Sequence, residues 1–288
     1  MRQTIRTVSV LFVALLLLAT TACQDTGQQS GGPGASGSPS RTTDAVADSG
    51  GAGDQSEPQD AAPDKPITIL CGSSFRPPME KLTEMYEEET GGRTELSFGG
   101  SEDHLPNVKA KAIGDVYVTH SPFQQYTRDA DALLRDVEVG FLAPVLVVQK
   151  GNPKGIKTID DLAKPGLQVL LTNPDFSTCG EMTFALLEKK EIKDAVLENV
   201  GNAMFKHHSE IGNKLKLGFG DAGIMWNGVA NNFLDAIEVV PAPYEYDDEI
   251  TVSVMGLSYT EQPEQVQKFL DFVETHGQEV FKKFGYVK

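Results

Sequence analysis

The chain has 288 residues, with 25 Lys and Arg against 41 Asp and Glu, and a formal net charge of −16 at pH 7. So acidic a surface repels nucleic-acid phosphates and anionic lipid headgroups, which excludes a nucleic-acid binder and an electrostatic membrane binder. Three cysteines in this length exclude a disulfide scaffold, and any anion must be held by local donors, not by a general positive field.

The first residues read as a leader. Arg2 and Arg6 are positive, Val8 to Leu18 is apolar apart from Ser9, and the small residues Ala19-Thr20-Thr21-Ala22 end at Cys23. This is the layout of a secretory signal and is too short for a spanning helix. A cysteine at the cleavage point resembles the bacterial lipoprotein signal, in which the new N-terminal Cys carries the lipid, although Thr20 stands where that signal usually has Leu. The expectation is a signal peptide over residues 1–22, lipid attachment at Cys23 and an extracytoplasmic, membrane-anchored location on a bacterial envelope, with ordinary signal cleavage as the alternative. Gln24 to Lys65 is rich in Gly, Ser, Pro, Asp, Gln and Ala. Such a segment buries too little surface to offset its ordering entropy, so residues 23–65 are predicted to be a disordered tether with a reach of about 35 Å.

From Pro66 onward, apolar runs alternate with helical patterns. Ile67 to Cys71 predicts a strand. Pro77 to Thr90 predicts a helix with Met79, Leu82, Met85 and Tyr86 on one face and Gly91-Gly92 as its stop. Thr94 to Phe98 predicts a strand, followed by Gly99-Gly100-Ser101 and a second helical stretch. Asp115 to Thr119, Phe141 to Gln149 and Leu167 to Thr172 predict further strands, the second of them long. Gly180 to Glu191 predicts a helix with Met182, Ala185, Leu186 and Phe184 inward. Ala222 to Trp226 and Ile250 to Tyr259 predict strands, and Pro263 to Thr275 a closing helix. This alternation predicts an α/β fold with largely parallel sheets.

Several segments carry a family resemblance. Ile67-Thr-Ile-Leu-Cys-Gly-Ser-Ser-Phe-Arg-Pro-Pro-Met79 resembles the first strand and loop of periplasmic molybdate/tungstate-binding proteins. Ser97-Phe-Gly-Gly-Ser101 resembles their second ligand loop and Thr172 to Gly180 their third. Gly114-Asp-Val-Tyr-Val118, Ala222-Gly-Ile-Met-Trp226 and Phe281 to Tyr286 resemble other segments of the family, in the right order. The resemblance implies a two-lobed type II periplasmic-binding-protein fold, each lobe a mostly parallel sheet flanked by helices, with ligand in the cleft between them. Residues 66–142 and 252–288 would form the first lobe and residues 143–251 the second, with crossings near Ala143-Pro144 and near Ile250 to Val254. Closure of such a cleft by hinge bending reports occupancy.

The same resemblance implies a ligand set of Ser74, Ser101, the backbone N–H of Cys179, the backbone N–H of His208, and Trp226 in place of a tyrosine. A fully ionised tetrahedral dianion has only acceptors, so hydroxyls and amide N–H groups at helix starts suit it. Helix N-capping is the competing role for both serines. Arg76 adds a possible charge-assisted bond. Glu102 and Asp103, directly after Ser101, read as first-turn acids satisfied by the helix dipole. Cys71, Cys179, His120 and His208 supply an alternative, a soft transition-metal site, and the two thiols could instead form a disulfide or stay buried. No G-x-S-x-G elbow or G-x-x-x-x-G-K-[ST] loop occurs, so no enzyme is predicted and no cofactor is called for. The function implied is a monomeric receptor that captures a small oxyanion for the permease subunits of an ABC importer. A sensor or scaffold of the same fold is the other alternative.

Overall fold

The computed structural model describes residues 65–287. The predicted leader, the Cys23 attachment point and the tether up to residue 64 lie outside the described residues. The first half of the body runs β1 (Ile67–Gly72), a 3-10 turn (Ser73–Phe75), α1 (Arg76–Thr90), β2 (Thr94–Gly99), α2 (Ser101–Lys109), β3 (Val116–His120), α3 (Phe123–Asp129) and β4 (Leu133–Leu142). There follow β5 (Pro144–Gln149), a second 3-10 turn (Ile159–Ala163), β6 (Val169–Thr172), α4 (Thr178–Lys189), α5 (Lys193–Val200) and β7 (Met204–Phe205). The chain ends with α6 (His208–Lys216), β8 (Ala222–Trp226), α7 (Asn227–Asn231), β9 (Ile237–Val239), β10 (Ile250–Leu257) and α8 (Pro263–Lys283).

These strands form two five-stranded sheets, ordered β2-β1-β3-β10-β4 and β7-β6-β8-β5-β9. Each sheet with its helices is one lobe of an α/β body. As predicted, the sheets are mostly parallel, with four of the five strands in each running the same way, but one reversed strand makes each sheet mixed. β1 runs parallel to β2 and β3, but β10 is antiparallel to β3 and β4. In the second sheet β6 is parallel to β7 and β8, but β5 is antiparallel to β8 and β9. The reversed strand in each sheet, β5 or β10, is the first one laid down after the chain passes from one sheet to the other. No crossover helix precedes it to restore the direction.

Local chemistry explains most elements. Central strands β1, β3, β6 and β8 are buried on nearly every residue, as expected for strands covered on both faces. α1 takes Pro77 and Pro78 in its first turn, buries Met79, Leu82 and Tyr86, and stops at Gly91, whose φ of 72° suits glycine. α8 packs on α1, with Phe269 and Tyr86 rings edge-on at 5.0 Å. It runs past the predicted Thr275 to Lys283, because Gly277, Val280 and Phe281 prolong its buried face.

Two predicted elements differ. Phe141 to Gln149 is not one strand. It breaks at Ala143, where β4 of the first sheet ends and β5 of the second begins. In α4, Leu186 is buried and Met182 and Phe184 pack partly against the core, but Ala185 is exposed and Thr183 and Leu187 point inward instead. The Ala143 crossing is pinned by Asn227. Its Oδ1 accepts the Ala143 N–H at 3.2 Å, its N–H donates to Ala143 O at 2.9 Å, and its Nδ2 donates to Val287 O at 2.9 Å. One side chain therefore ties the second lobe to the chain crossing and to the C-terminal segment.

Candidate functional site

Four helical segments begin around a single cavity of about 80 Å3 between the lobes. From the first lobe come the 3-10 turn leading into α1, with Ser73 and Ser74, and the start of α2, with Gly100, Ser101 and Glu102. From the second lobe come the start of α4, with Ser177 and Thr178, and the start of α6, with His207, His208 and Ser209. Each helix start presents N–H groups that have no partner within the helix and the positive end of a dipole. Parallel strands followed by helices generate this arrangement, since β1, β2, β6 and β7 all deliver the chain to the cleft edge of their sheets. A cavity this small admits a few water-sized atoms and excludes a sugar or peptide.

Close approach of the walls depends on two glycines. A Cβ on Gly72 would lie 2.9 Å from the Phe75 ring and 3.1 Å from Ser101 Oγ. A Cβ on Gly180 would lie 2.7 Å from Thr172 O, so only glycine lets the first turn of α4 sit against the end of β6.

Of the residues put forward from the sequence, Ser74, Ser101, His208 and Trp226 line the cavity. Neither serine is the N-cap of its helix. Phe75 precedes α1 and Gly100 precedes α2, whose exposed Gly100 N–H is taken by Asp103 Oδ2 at 3.1 Å. The capping role considered for the serines is therefore not theirs. Ser101 is 4% exposed, and its carbonyl accepts the Tyr117 hydroxyl at 2.7 Å. Ser74 O accepts the Tyr286 hydroxyl, which ties the first loop to the C-terminal segment.

Two other residues do not reach the cavity. Arg76 is turned out to solvent. Its guanidinium carbon stacks 3.5 Å from the Phe98 centroid and Nη1 pairs with Glu80 at 3.2 Å, because a first-turn arginine on α1 meets its own i+4 glutamate before it meets the cleft. Cys179 is fully buried one residue inside α4, and the third loop lines the cavity with Ser177 and Thr178 instead.

The metal and disulfide alternatives fail on the same geometry. Cys71 and Cys179 are free thiols, each fully buried within its own lobe and absent from the cavity wall. Burial pushes both thiols well above the usual thiol range. Among the described residues no group of three His, Cys, Asp or Glu is gathered closely enough to hold a metal ion.

His120 of the first lobe and Trp226 of the second meet across the cleft with ring centroids 5.8 Å apart at 63°, and His208 lies 5.6 Å behind Trp226. His120 Nδ1 faces the Ser121 carbonyl at 2.7 Å, so the proton of the neutral ring sits there and Nε2 is left as an acceptor. Burial lowers His120 to about 4. Burial, then His120 and His207, lower His208 to about 3. Both rings are neutral at physiological pH and bring no positive charge to the site. His208 Nδ1 is buried without a hydrogen-bond partner.

Charge enters through residues that sequence reasoning did not place in the site. Lys206 and Glu102 both line the cavity. Lys206 Nζ reaches across from the second lobe to Asp103 of α2, 3.0 Å from each carboxylate oxygen. Burial acts to raise Asp103, but Lys206 and the Gly100 N–H outweigh it and hold its carboxyl below the usual range. Glu102 was expected to be satisfied by the dipole of its own helix. Its own N–H and, across the cleft, the N–H of Thr178 at the start of α4 favour its charged form, but burial outweighs them. Burial, then Asp103 and Glu181, raise its pKa. The 3.6-residue period of α2 carries no signal for which lobe its first turn will meet, so neither role was readable locally.

A larger opening of about 540 Å3 lies elsewhere, beside Gln124, Arg128 and Asp136. There Gln124 bonds Thr251 and Ser253 and Arg128 pairs with Asp136 Oδ2, while the buried Asp136 Oδ1 adds an unpartnered acceptor that an oxyanion could not use. The cleft is where donors remain unspent.

Among the described residues, no helix is long and apolar enough to cross a membrane. The profile of bacterial extracellular solute-binding proteins matches residues 67–287. The chain is 24% identical over 229 residues to the molybdate-binding protein ModA of Mycobacterium bovis, covering 77% of this chain and 84% of that protein. Its fold is similar to that of the sulfate-binding protein SubI from Mycobacterium tuberculosis, with a TM-score of 0.62 and 16% identity over 77% of this chain and 86% of that one. It is also similar to iron-bound HitA from Pseudomonas aeruginosa, with a TM-score of 0.60 and 15% identity over 76% of this chain and 84% of that one. With the family profile spanning nearly the whole described body, the chain belongs to the bacterial extracellular solute-binding protein family.

Proposed function

We propose that this protein captures a small tetrahedral oxyanion, of the molybdate or tungstate kind, in the interlobe cavity and delivers it to the permease subunits of an ABC importer. The observation that carries the reading is the convergence of four helix starts, with Ser74, Ser101, Ser177 and Thr178, on a cavity of about 80 Å3. Such a cavity offers hydroxyl and backbone donors to a ligand made only of acceptors, without needing a metal or a general positive field. The resemblance to a molybdate-binding protein over most of the chain supports the same ligand class. In this reading Ser74 and Ser101 are hydroxyl donors, the α4 and α6 starts are backbone donors, and Trp226 closes the wall beside His120.

The leader and Cys23 complete the proposal: the mature protein is a lipid-anchored monomer outside the cytoplasmic membrane, and residues 23–65 tether its binding body. Calorimetric and thermal-shift titration with molybdate, tungstate, sulfate, phosphate and chromate tests the ligand. Saturable binding of at least one supports the reading. No response to any of them overturns it while leaving the fold and family untouched.

A further inference from the structure

Glu102 is out of place in a site for a dianion. Its half-buried side chain lines the same cavity as Thr178 at the start of α4, so it stands beside any ligand held between these two walls. A carboxylate and an oxyanion are both acceptors and both negative, and they repel unless something positive lies between them.

Beyond the helix starts themselves, the neighbouring side chains offer no unpaired positive charge. Lys206 is bonded to both oxygens of Asp103, and Arg76 is spent on Glu80 and Phe98 outside the cavity. Among the described residues Glu102 has no ion-pair partner of its own. His120 and His208 are held neutral by burial, and burial lowers His104, on α2 itself, as well. Asp103 on α2 and Glu181 on α4 add negative charge near Glu102. His207, exposed at the start of α6, is the remaining titratable group on the wall. The counter-charge left for a Glu102–oxyanion contact is a proton.

We propose that Glu102 sets which oxyanions this cleft accepts, by sharing one proton between its carboxyl and the bound anion. The proposal rests on the oxyanion reading and deepens it. An oxyanion that carries its own proton at neutral pH, such as hydrogen phosphate, donates that proton to the Glu102 carboxylate and needs none from solvent. One that is fully ionised, such as molybdate, tungstate or sulfate, binds with uptake of one solvent proton by Glu102, which then donates an O–H···O bond to the ligand. Apart from the O–H bond that Glu102 gains when it takes a proton from solvent or buffer, no covalent bond changes, and the complex holds one proton between the two groups in either case. Burial and the acidic neighbours, which favour the neutral carboxyl, make that uptake easier than at a free glutamate.

The test is calorimetric titration of the full chain with molybdate and with inorganic phosphate. It is run at about pH 6 and about pH 8, each in two buffers of different ionisation enthalpy, so that proton uptake is read directly. For wild type at about pH 8, molybdate is expected to take up close to one proton and phosphate none. The molybdate affinity should fall about tenfold per pH unit between the two conditions. E102Q, which donates a hydrogen bond without titrating, should bind molybdate with no uptake and with equal affinity at both pH values. Molybdate binding by wild type without uptake, with E102Q unchanged from it, overturns the proposal and leaves the oxyanion reading standing. Uptake that survives E102Q and vanishes in H207Q assigns the proton to the imidazole and also overturns it. If neither wild type nor E102Q binds any anion of the panel, the oxyanion reading falls and takes this inference with it.

Discussion

Lys206 Nζ sits 3.0 Å from both carboxylate oxygens of Asp103 and so joins the loop before α6 in the second lobe to the first turn of α2 in the first. The pair bridges the mouth of the cleft, and Asp103 simultaneously accepts the Gly100 N–H that α2 leaves open. One acidic residue therefore holds a helix start and a lobe contact together.

Asp103 and Lys206 should consequently not be equivalent on mutation. Both side chains are about half exposed (48% and 45%), so the ion pair alone is worth roughly 0.2–1 kcal/mol. K206M should lower stability by no more than that, and salt should mask the loss. D103A gives up the acceptor for the Gly100 N–H as well and should cost about 0.5–2 kcal/mol. Because the folded pKa of Asp103 is depressed, its contribution is present above the unfolded carboxylate pKa and lost as pH falls through the folded value. Urea denaturation of both variants at low and high salt checks the ranking. Equal losses would show that the cap contributes nothing.

Ser74 and Ser101 line the cavity without capping their helices, so their removal should act on binding more than on folding. Each Ser→Ala change is expected to weaken oxyanion affinity by about 1.5–3 kcal/mol, or about 10- to 150-fold, with a small change in melting temperature. Calorimetry and thermal denaturation of the same samples separate the two effects. A lowered melting temperature at unchanged affinity would reassign the serines to structure.

The two buried imidazoles predict a specific acid response. His120 titrates near 4 and His208 near 3 in the folded protein, against about 6.5 when unfolded. Below about pH 6.5 the unfolded chain takes up protons that the folded chain refuses, so stability falls as pH falls. The loss is about 1.4 kcal/mol per pH unit for each ring, continuing down towards the folded values. Unfolding midpoints at successive pH values should show this slope, and H120Q and H208Q should each flatten it. A slope unchanged in both variants would place the effect elsewhere.

Cys71 and Cys179 are fully buried with thiols pushed up by desolvation, so neither should react with a water-soluble disulfide reagent in the folded protein. Both should react once denaturant is added. The C71S/C179S variant should retain wild-type oxyanion affinity, since neither side chain reaches the cavity. Loss of binding in that variant without loss of stability would contradict the placement of Cys179.

Much of the body was legible without coordinates. Ile67 to Cys71, Ala222 to Trp226 and the Pro77 to Thr90 helix follow from apolar runs, proline placement and glycine stops, and the structure has them within a residue or two. The short helices α3, α5 and α6 were not read as helices from their patterns, because seven to nine residues hold too few turns for a periodic stripe to stand out. Phe141 to Gln149 read as one strand because hydrophobicity records burial and not which sheet does the burying; the break at Ala143 is a change of partner, invisible to composition.

The site divides in the same way. Loops at strand ends leading into helices are local features, and within them the family resemblance singled out Ser74, Ser101 and His208. Which side chains of those first turns face the cavity depends on how two separately folded lobes dock. Packing within each lobe turned Arg76 onto Phe98 and buried Cys179, while the docking set Lys206 against Asp103 and brought Glu102 and Thr178 to one cavity. Sequence determined the lobes and their donor-bearing loops through short-range propensity and burial. Only the tertiary structure decided the charges in the cleft, because electrostatic partners there are separated by about a hundred residues along the chain and about three ångströms in space.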